Sequence, residues 1–252
     1  MLAIGLFIAL YYWWKMGRDE HFDEISLFDG YFLSLIIFFV IGRLGYVLLH
    51  MNQVGTLYRS LAILTFPGID SFVGILAAII FIILFARSND WDPWKVADSF
   101  AVALSMVLIF GGIGGLLNGS NPGIAVGWGV MYPGQTENRI PVDALIIIWS
   151  LITFAIVSKV RKNFRFYSWY KGESSMAQEG LASLMFGVAT GLYFVISGWI
   201  NQYGWIKLFG VIPLEFILGI VLIVVCAYLI EKRVGRRDAS LWGKLKGLIR
   251  RK

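Results

Sequence analysis

Apolar residues run almost unbroken through seven stretches of this chain, at about 1–15, 30–50, 71–87, 96–118, 141–159, 179–198 and 208–230. Polar and charged positions collect between them. A helix of about 20 apolar residues crosses the hydrocarbon of a bilayer, and most of these stretches reach that length. The pattern predicts an all-α polytopic membrane protein with seven transmembrane helices, forming a single integral membrane domain over 1–252. The first stretch is short, and a signal peptide is the competing reading. Lys15 and Arg18 follow it instead of preceding it, and no small-residue cleavage site ends it, so we read it as a span.

Composition agrees with a membrane protein. Hydrophobic residues make up 58% of the 252 and charged residues only 15%, where a soluble domain carries about 25% charged residues. Mean hydropathy is +0.72. The placement of charge then orients the bundle. Of the 22 lysines and arginines, 18 fall after the first, third and fifth spans or in the C-terminal tail. Only Arg59, Arg139 and Lys207 lie in the alternate loops, and Arg43 lies within a span. By the positive-inside rule the basic side is cytoplasmic, which puts the N-terminus outside and the C-terminus inside. The net charge of +6 is therefore a membrane matter, with no nucleic-acid partner implied. The tail at 239–252 mixes Leu241, Trp242, Leu245, Leu248 and Ile249 with basic residues at helical spacing. It is expected to lie as an amphipathic segment on the anionic inner leaflet; a solvated tail is the alternative. Cys226 reads as a small core residue, and His21 and His50 have no second ligand type at useful spacing, so neither a metal nor a cofactor is expected. The acidic stretch at 19–24 reads as a solvated cytoplasmic loop.

Arg43 carries the chemistry. It sits inside the second span, about eight residues from the nearer end, where a charge costs roughly 2.5–3.5 kcal/mol on the mildest scale. Such a residue persists where it faces a bundle interior and meets an anion. Tyr46 follows one turn later on the same face. An intramembrane anion site, such as one for a lipid phosphate, is one reading. An internal ion pair is the other, with Glu215 as one available carboxylate. Glu215 is expected within about two turns of the outer surface, either pairing with a buried cation or snorkelling outward. Two outward loops, at 50–70 and 119–139, are long enough to carry substrate contacts, and the second holds the turn signals Asn121-Pro122 and Tyr132-Pro133-Gly134. Gly111, Gly115 and Gly119 recur at four-residue spacing and are expected to form one close helix contact.

Three blocks, in this order and spacing, carry a resemblance. They are Ile41-Gly-Arg-Leu-Gly-Tyr46, Ser71-Phe-Val-Gly74, and the run from Asp98 through Gly111-Gly-Ile-Gly-Gly-Leu-Leu-Asn-Gly119 with Gly123. Together they resemble the bacterial prolipoprotein diacylglyceryl transferases, over nearly the whole chain, with an N-terminal segment and a family tyrosine expected to be missing. The resemblance implies seven helices in the orientation deduced above, in the cell inner (plasma) membrane. It implies transfer of diacylglyceryl from phosphatidylglycerol to the lipobox cysteine of a lipoprotein precursor, forming a thioether and releasing glycerol phosphate. Arg43 and Arg139 would bind the lipid phosphate, Tyr46 and Asn118 would be catalytic, and Gly119, Gly123, Asp143 and Glu215 would support them. The chain departs from the family pattern at several polar positions. Val73 stands for a histidine, Gly112 and Gly115 for an arginine and an asparagine, Ser120 for a glutamate, and Arg139-Ile-Pro-Val-Asp143 for a longer polar block. Phe194 or a neighbour replaces an arginine, and Gly198 a glutamate, in the span at 179–198. The alternative function is accordingly a lipid- or lipoprotein-binding protein that keeps the scaffold without transfer.

Overall fold

The computed structural model describes residues 1–49, 51, 68–171, 179–201, 207–208 and 211–234, without side chains at 49, 163–171, 207–208 and 233–234. The expected tail at 239–252 and most of the loop at 50–70 lie outside the described residues. Helices α1 (Leu2–Asp19), α2 (Glu24–Leu49), α3 (Ser71–Ser88) and α4 (Pro93–Asn118) come first. Strands β1 (Pro122–Met131) and β2 (Asn138–Pro141) follow, then α5 (Val142–Lys171) and α6 (Leu181–Ile200). A two-residue pair, β3 (Lys207–Leu208) and β4 (Ile212–Pro213), precedes α7 (Leu214–Val234).

Each of the seven apolar stretches contains a helix, the last beginning only at Leu214, and six of the helices, α2 to α7, are long and apolar enough to cross a membrane. Helix α1 has 18 residues but carries Lys15, Arg18 and Asp19 toward its end, and it is not among the six. The polarity of the helices is that of a protein in lipid. Ile36, Ile80, Leu84 and Val224 are exposed, while Ser99, Ser105, Ser150 and Thr153 are buried. Buried hydroxyls find acceptors in their own helix: Ser105 Oγ donates to the Ala101 carbonyl and Thr153 Oγ1 to that of Trp149, each at 2.8 Å.

The chain divides into two compact units, residues 10–99 and residues 1–9 with 100–252. In the first, α2 and α3 approach closely through glycine. A Cβ on Gly42 would stand 3.4 Å from the Gly74 Cα and 3.0 Å from the Asp70 carbonyl, and one on Gly45 would meet Val73 at 2.8 Å. Asp70 starts α3, its Oδ1 accepting from the Val73 N–H at 2.8 Å, and its own N–H donates to the Gly42 carbonyl at 3.0 Å. Helix α1 is tied to α2 by Trp13, whose indole N–H donates to the Leu27 carbonyl at 2.8 Å. The acidic stretch at 19–24 does more than solvate. Glu20 pairs with Lys95 at 3.5 Å, and Asp23 accepts from the N–H and hydroxyl of Ser26, bonds that hold its carboxyl below the usual carboxylate range.

In the second unit α6 and α7 meet at Gly191 and Gly219. A Cβ on either would stand within 2.8 Å of the other's carbonyl oxygen. Cys226 is buried in this contact beneath Gly187, as a core residue. The Gly111–Gly115–Gly119 expectation needs correction. Gly111 faces open space, and the helix approach falls to Gly112, which packs on Ile146, Ile147 and the Asp143 carbonyl of α5. The 100° turn per residue that 3.6 residues per turn imposes explains the shift, because Gly112 sits next to Gly115 on the face turned to α5.

The all-α expectation omitted a hairpin. Residues 119–139, expected as a loop, hold the antiparallel β1–β2 pair. Pro122 pairs with Pro141 and Met131 with Asn138, while Ala125 and Val130 both face Arg139, so β1 bulges between them. Gly129 in this bulge lies against the Arg139 backbone, where a side chain has no room. The alternation that would mark a strand is hidden, because Ile124, Trp128, Val130 and Met131 are all exposed around the bulge.

Candidate functional site

The expected site residues fall into both units. Arg43 and Tyr46 belong to residues 10–99; Asn118, Gly119, Gly123, Arg139, Asp143 and Glu215 belong to the other.

Arg43 is buried in α2 with 5% of its surface exposed. Its Nη1 donates to the Gly68 carbonyl at 2.8 Å, and its guanidinium lies 5.6 Å from the centre of the Tyr46 ring. Both contacts ease burial of the charge, the carbonyl dipole by a charge-assisted bond and the ring by its quadrupole. Gly68 lies flat on that same ring, leaving no space for a Cβ. The local sequence explains the arrangement. Glycines at 42 and 45 let the start of α3 pack directly on the part of α2 that carries Arg43. Val73, at the position where the resembled pattern carries a histidine, packs on Gly45.

The other unit gathers a polar cluster around the start of α5. Asp143 is buried at 4% exposure, in the first turn of α5. Its Oδ1 accepts from Asn121 Nδ2 at 2.7 Å, while Oδ2 is buried with no hydrogen-bond partner among the described residues. The carboxylate fits only because position 115 is glycine: a Cβ there would stand 2.5 Å from Oδ1. Gly119 ends α4 with φ of 64°, and against it lies the ring of Tyr132. The Tyr132 phenol oxygen is likewise buried and without a partner among the described residues. Burial, and secondarily the Asp143 carboxylate, pushes this phenol above its usual range, so it remains a proton donor at neutral pH. Tyr193 of α6 lies within electrostatic reach of both Asp143 and Glu215.

The remaining expected residues frame this cluster. Gly123 is pressed between the carbonyls of Ile140 and Ile200, and its own carbonyl accepts from Arg139 Nη1 at 3.1 Å. Glu215 stands in the first turn of α7, beside Gly198. Asn118 is exposed at the last position of α4. Asn121, Tyr132 and Tyr193 were missed by sequence reasoning. The first two sit in short segments that read as turns, and the separation of 22 positions between Asn121 and Asp143 leaves no local signal of their bond.

A family model described as prolipoprotein diacylglyceryl transferase matches residues 1–236. This chain belongs to that family. Among similar proteins is the phosphatidylglycerol–prolipoprotein diacylglyceryl transferase of Desulfotalea psychrophila, 28% identical over 202 residues, covering 78% of this chain and 72% of the relative. The protein of that name from Acidiphilium cryptum is 27% identical over 220 residues, covering 79% and 74%. The second enzyme of that name from Clostridium perfringens is 22% identical over 203 residues, covering 77% and 75%. Membership in a membrane-embedded transferase family of lipoprotein biosynthesis fits the six helices apolar enough to span.

Proposed function

We propose that this protein transfers diacylglyceryl from phosphatidylglycerol to the lipobox cysteine thiol of lipoprotein precursors, in the bacterial inner (plasma) membrane. The observation that carries the reading is Arg43: a permanent cation, buried in a membrane-spanning helix and backed by Tyr46 and the Gly68 carbonyl. A planar fork of donors in a low-dielectric setting suits the phosphate diester of an anionic lipid. In this reading Arg43 and Arg139 hold the phosphate, Tyr46 and Asn118 act at the reacting groups, and Gly119, Gly123, Asp143 and Glu215 support them. The thiol sulfur attacks the glyceryl carbon of the lipid, the C–O bond to phosphate breaks, and glycerol phosphate leaves with the electron pair. The thiol proton passes to a base.

The same proposal includes seven spans within one integral membrane domain, N-terminus outside, C-terminus cytoplasmic, and a basic tail at 239–252 on the inner leaflet. Its support is the distribution of 18 of 22 basic residues on one side. A second reading, lipid or lipoprotein binding without transfer, draws on Val73 and Gly112, which are packed as apolar contacts where the resembled pattern is polar. Labelled phosphatidylglycerol incubated with the purified protein and a lipobox peptide separates the two. Label appearing on the peptide thiol is expected. Binding of the lipid with no label on the peptide would leave only the second reading.

A further inference from the structure

The cluster at the start of α5 holds a buried acceptor and a buried donor, both unmet among the described residues. Asp143 Oδ2 can only accept while the group is ionised, and Tyr132 Oη has a proton to give. An unmet buried polar atom is costly, so such a pair calls for a ligand group that both donates and accepts. Both pack at one end of α4, and the Asp143 carboxylate acts electrostatically on the Tyr132 phenol. Asp143 rests on Gly115 and Tyr132 on Gly119, the residue that follows the last turn of α4. The carboxylates of Asp143 and Glu215, both within reach of Tyr193, make this place unfavourable for a phosphate. A neutral polyol suits it.

We infer that Asp143 and Tyr132 form a hydroxyl-reading site for the glycerol end of the lipid headgroup. One hydroxyl donates to Asp143 Oδ2, and the other accepts from Tyr132 Oη. Asn121 is a positioning residue that fixes the carboxylate through Oδ1, and Gly115 is required because a side chain there would displace it. Tyr132 opens the turn of the β1–β2 hairpin, its carbonyl accepting from the Gln135 N–H at 3.0 Å. Gly119 and Gly134, at φ of 64° and 78°, adopt the left-handed conformations that shape the chain on either side of Tyr132. The inference rests on the proposed transfer reading only for the choice of lipid.

The experiment compares phosphatidylglycerol with phosphatidylmethanol, which has the same single charge and no headgroup hydroxyl, as ligands of the full chain in nanodiscs. The parent protein is expected to prefer phosphatidylglycerol by about tenfold or more, since sites built to bond a hydroxyl reject analogues that lack it. Tyr132→Phe, Asp143→Asn and Gly115→Ala should each cut that preference to about threefold or less. Free glycerol 1-phosphate as competitor tells a headgroup site from a soluble-ligand site; competition at concentrations too low to displace the lipid phosphate would move the assignment to the soluble compound. Equal binding of the two lipids by the parent, or full preference in all three variants, would overturn the inference and leave the pair to solvent. Peptide labelling is read separately, so absence of transfer would count against the function proposed above and not against this site.

Discussion

Arg43 donates from Nη1 to the carbonyl of Gly68, 25 residues further on, at 2.8 Å. That bond fixes one arm of the guanidinium beside Gly68, with its carbon 5.6 Å from the centre of the Tyr46 ring. Lysine at this position would keep the charge and lose the fork. Arg43→Lys is therefore expected to weaken phosphatidylglycerol binding about tenfold, or about 1.4 kcal/mol. Arg43→Leu should abolish measurable binding while the helical circular-dichroism signal stays. If Arg43→Leu binds the lipid as the parent does, the arginine serves only to tie the loop to α2.

Two glycine substitutions should behave oppositely. At Gly219 a Cβ would stand 2.6 Å from the Gly191 carbonyl and 2.9 Å from the Val195 nitrogen, atoms of a facing backbone that cannot step aside. Gly219→Leu should thus cost about 1–3 kcal/mol through overpacking. Around Gly111 nothing lies within 4 Å, so Gly111→Ala should be neutral or stabilise by about 0.5–1 kcal/mol through helix propensity. Thermal unfolding in detergent checks both, and a large loss at Gly111 would mean that this face is covered.

Asp70 joins a cap to a helix contact. Its Oδ1 accepts from Val73 N–H, and its own N–H reaches the Gly42 carbonyl. Asp70→Ala removes the cap and is expected to cost about 0.5–2 kcal/mol. Asp70→Asn keeps an acceptor there and should retain most of the stability, whereas equal losses in both would point to a role for the charge.

What was legible in the sequence follows from how far each signal reaches along the chain. Runs of about 20 apolar residues announce helices with no tertiary help, and each of the seven stretches contains one. Arg43 was legible for the same reason, as a charge amid such a run. The hairpin was not, because its bulge puts Ala125 and Val130 opposite one residue and breaks the alternation that marks a strand. The Asn121–Asp143–Tyr132 cluster was out of reach as well, apart from Asp143 itself. Its members come together through the hairpin's closure, and the small size of Gly115 matters only once α5 lies against it.

The topology turns on α1. Its 18 residues give a length of about 27 Å, just short of the roughly 30 Å hydrocarbon layer, with Lys15 and Arg18 near one end. If it spans, Leu2 lies outside, the loop before α2 lies inside, and the remaining helices alternate from there. Single cysteines placed in a Cys226→Ser background test this in intact cells with a membrane-impermeant maleimide. Leu2→Cys and Thr136→Cys, both exposed positions, should label from outside, and Ser88→Cys only after permeabilisation. Protection of Leu2→Cys with labelling of Thr136→Cys would leave α1 on the inner surface and the protein with six spans. Labelling of Ser88→Cys from outside would reverse the orientation altogether, against the pull of 18 basic residues on one side.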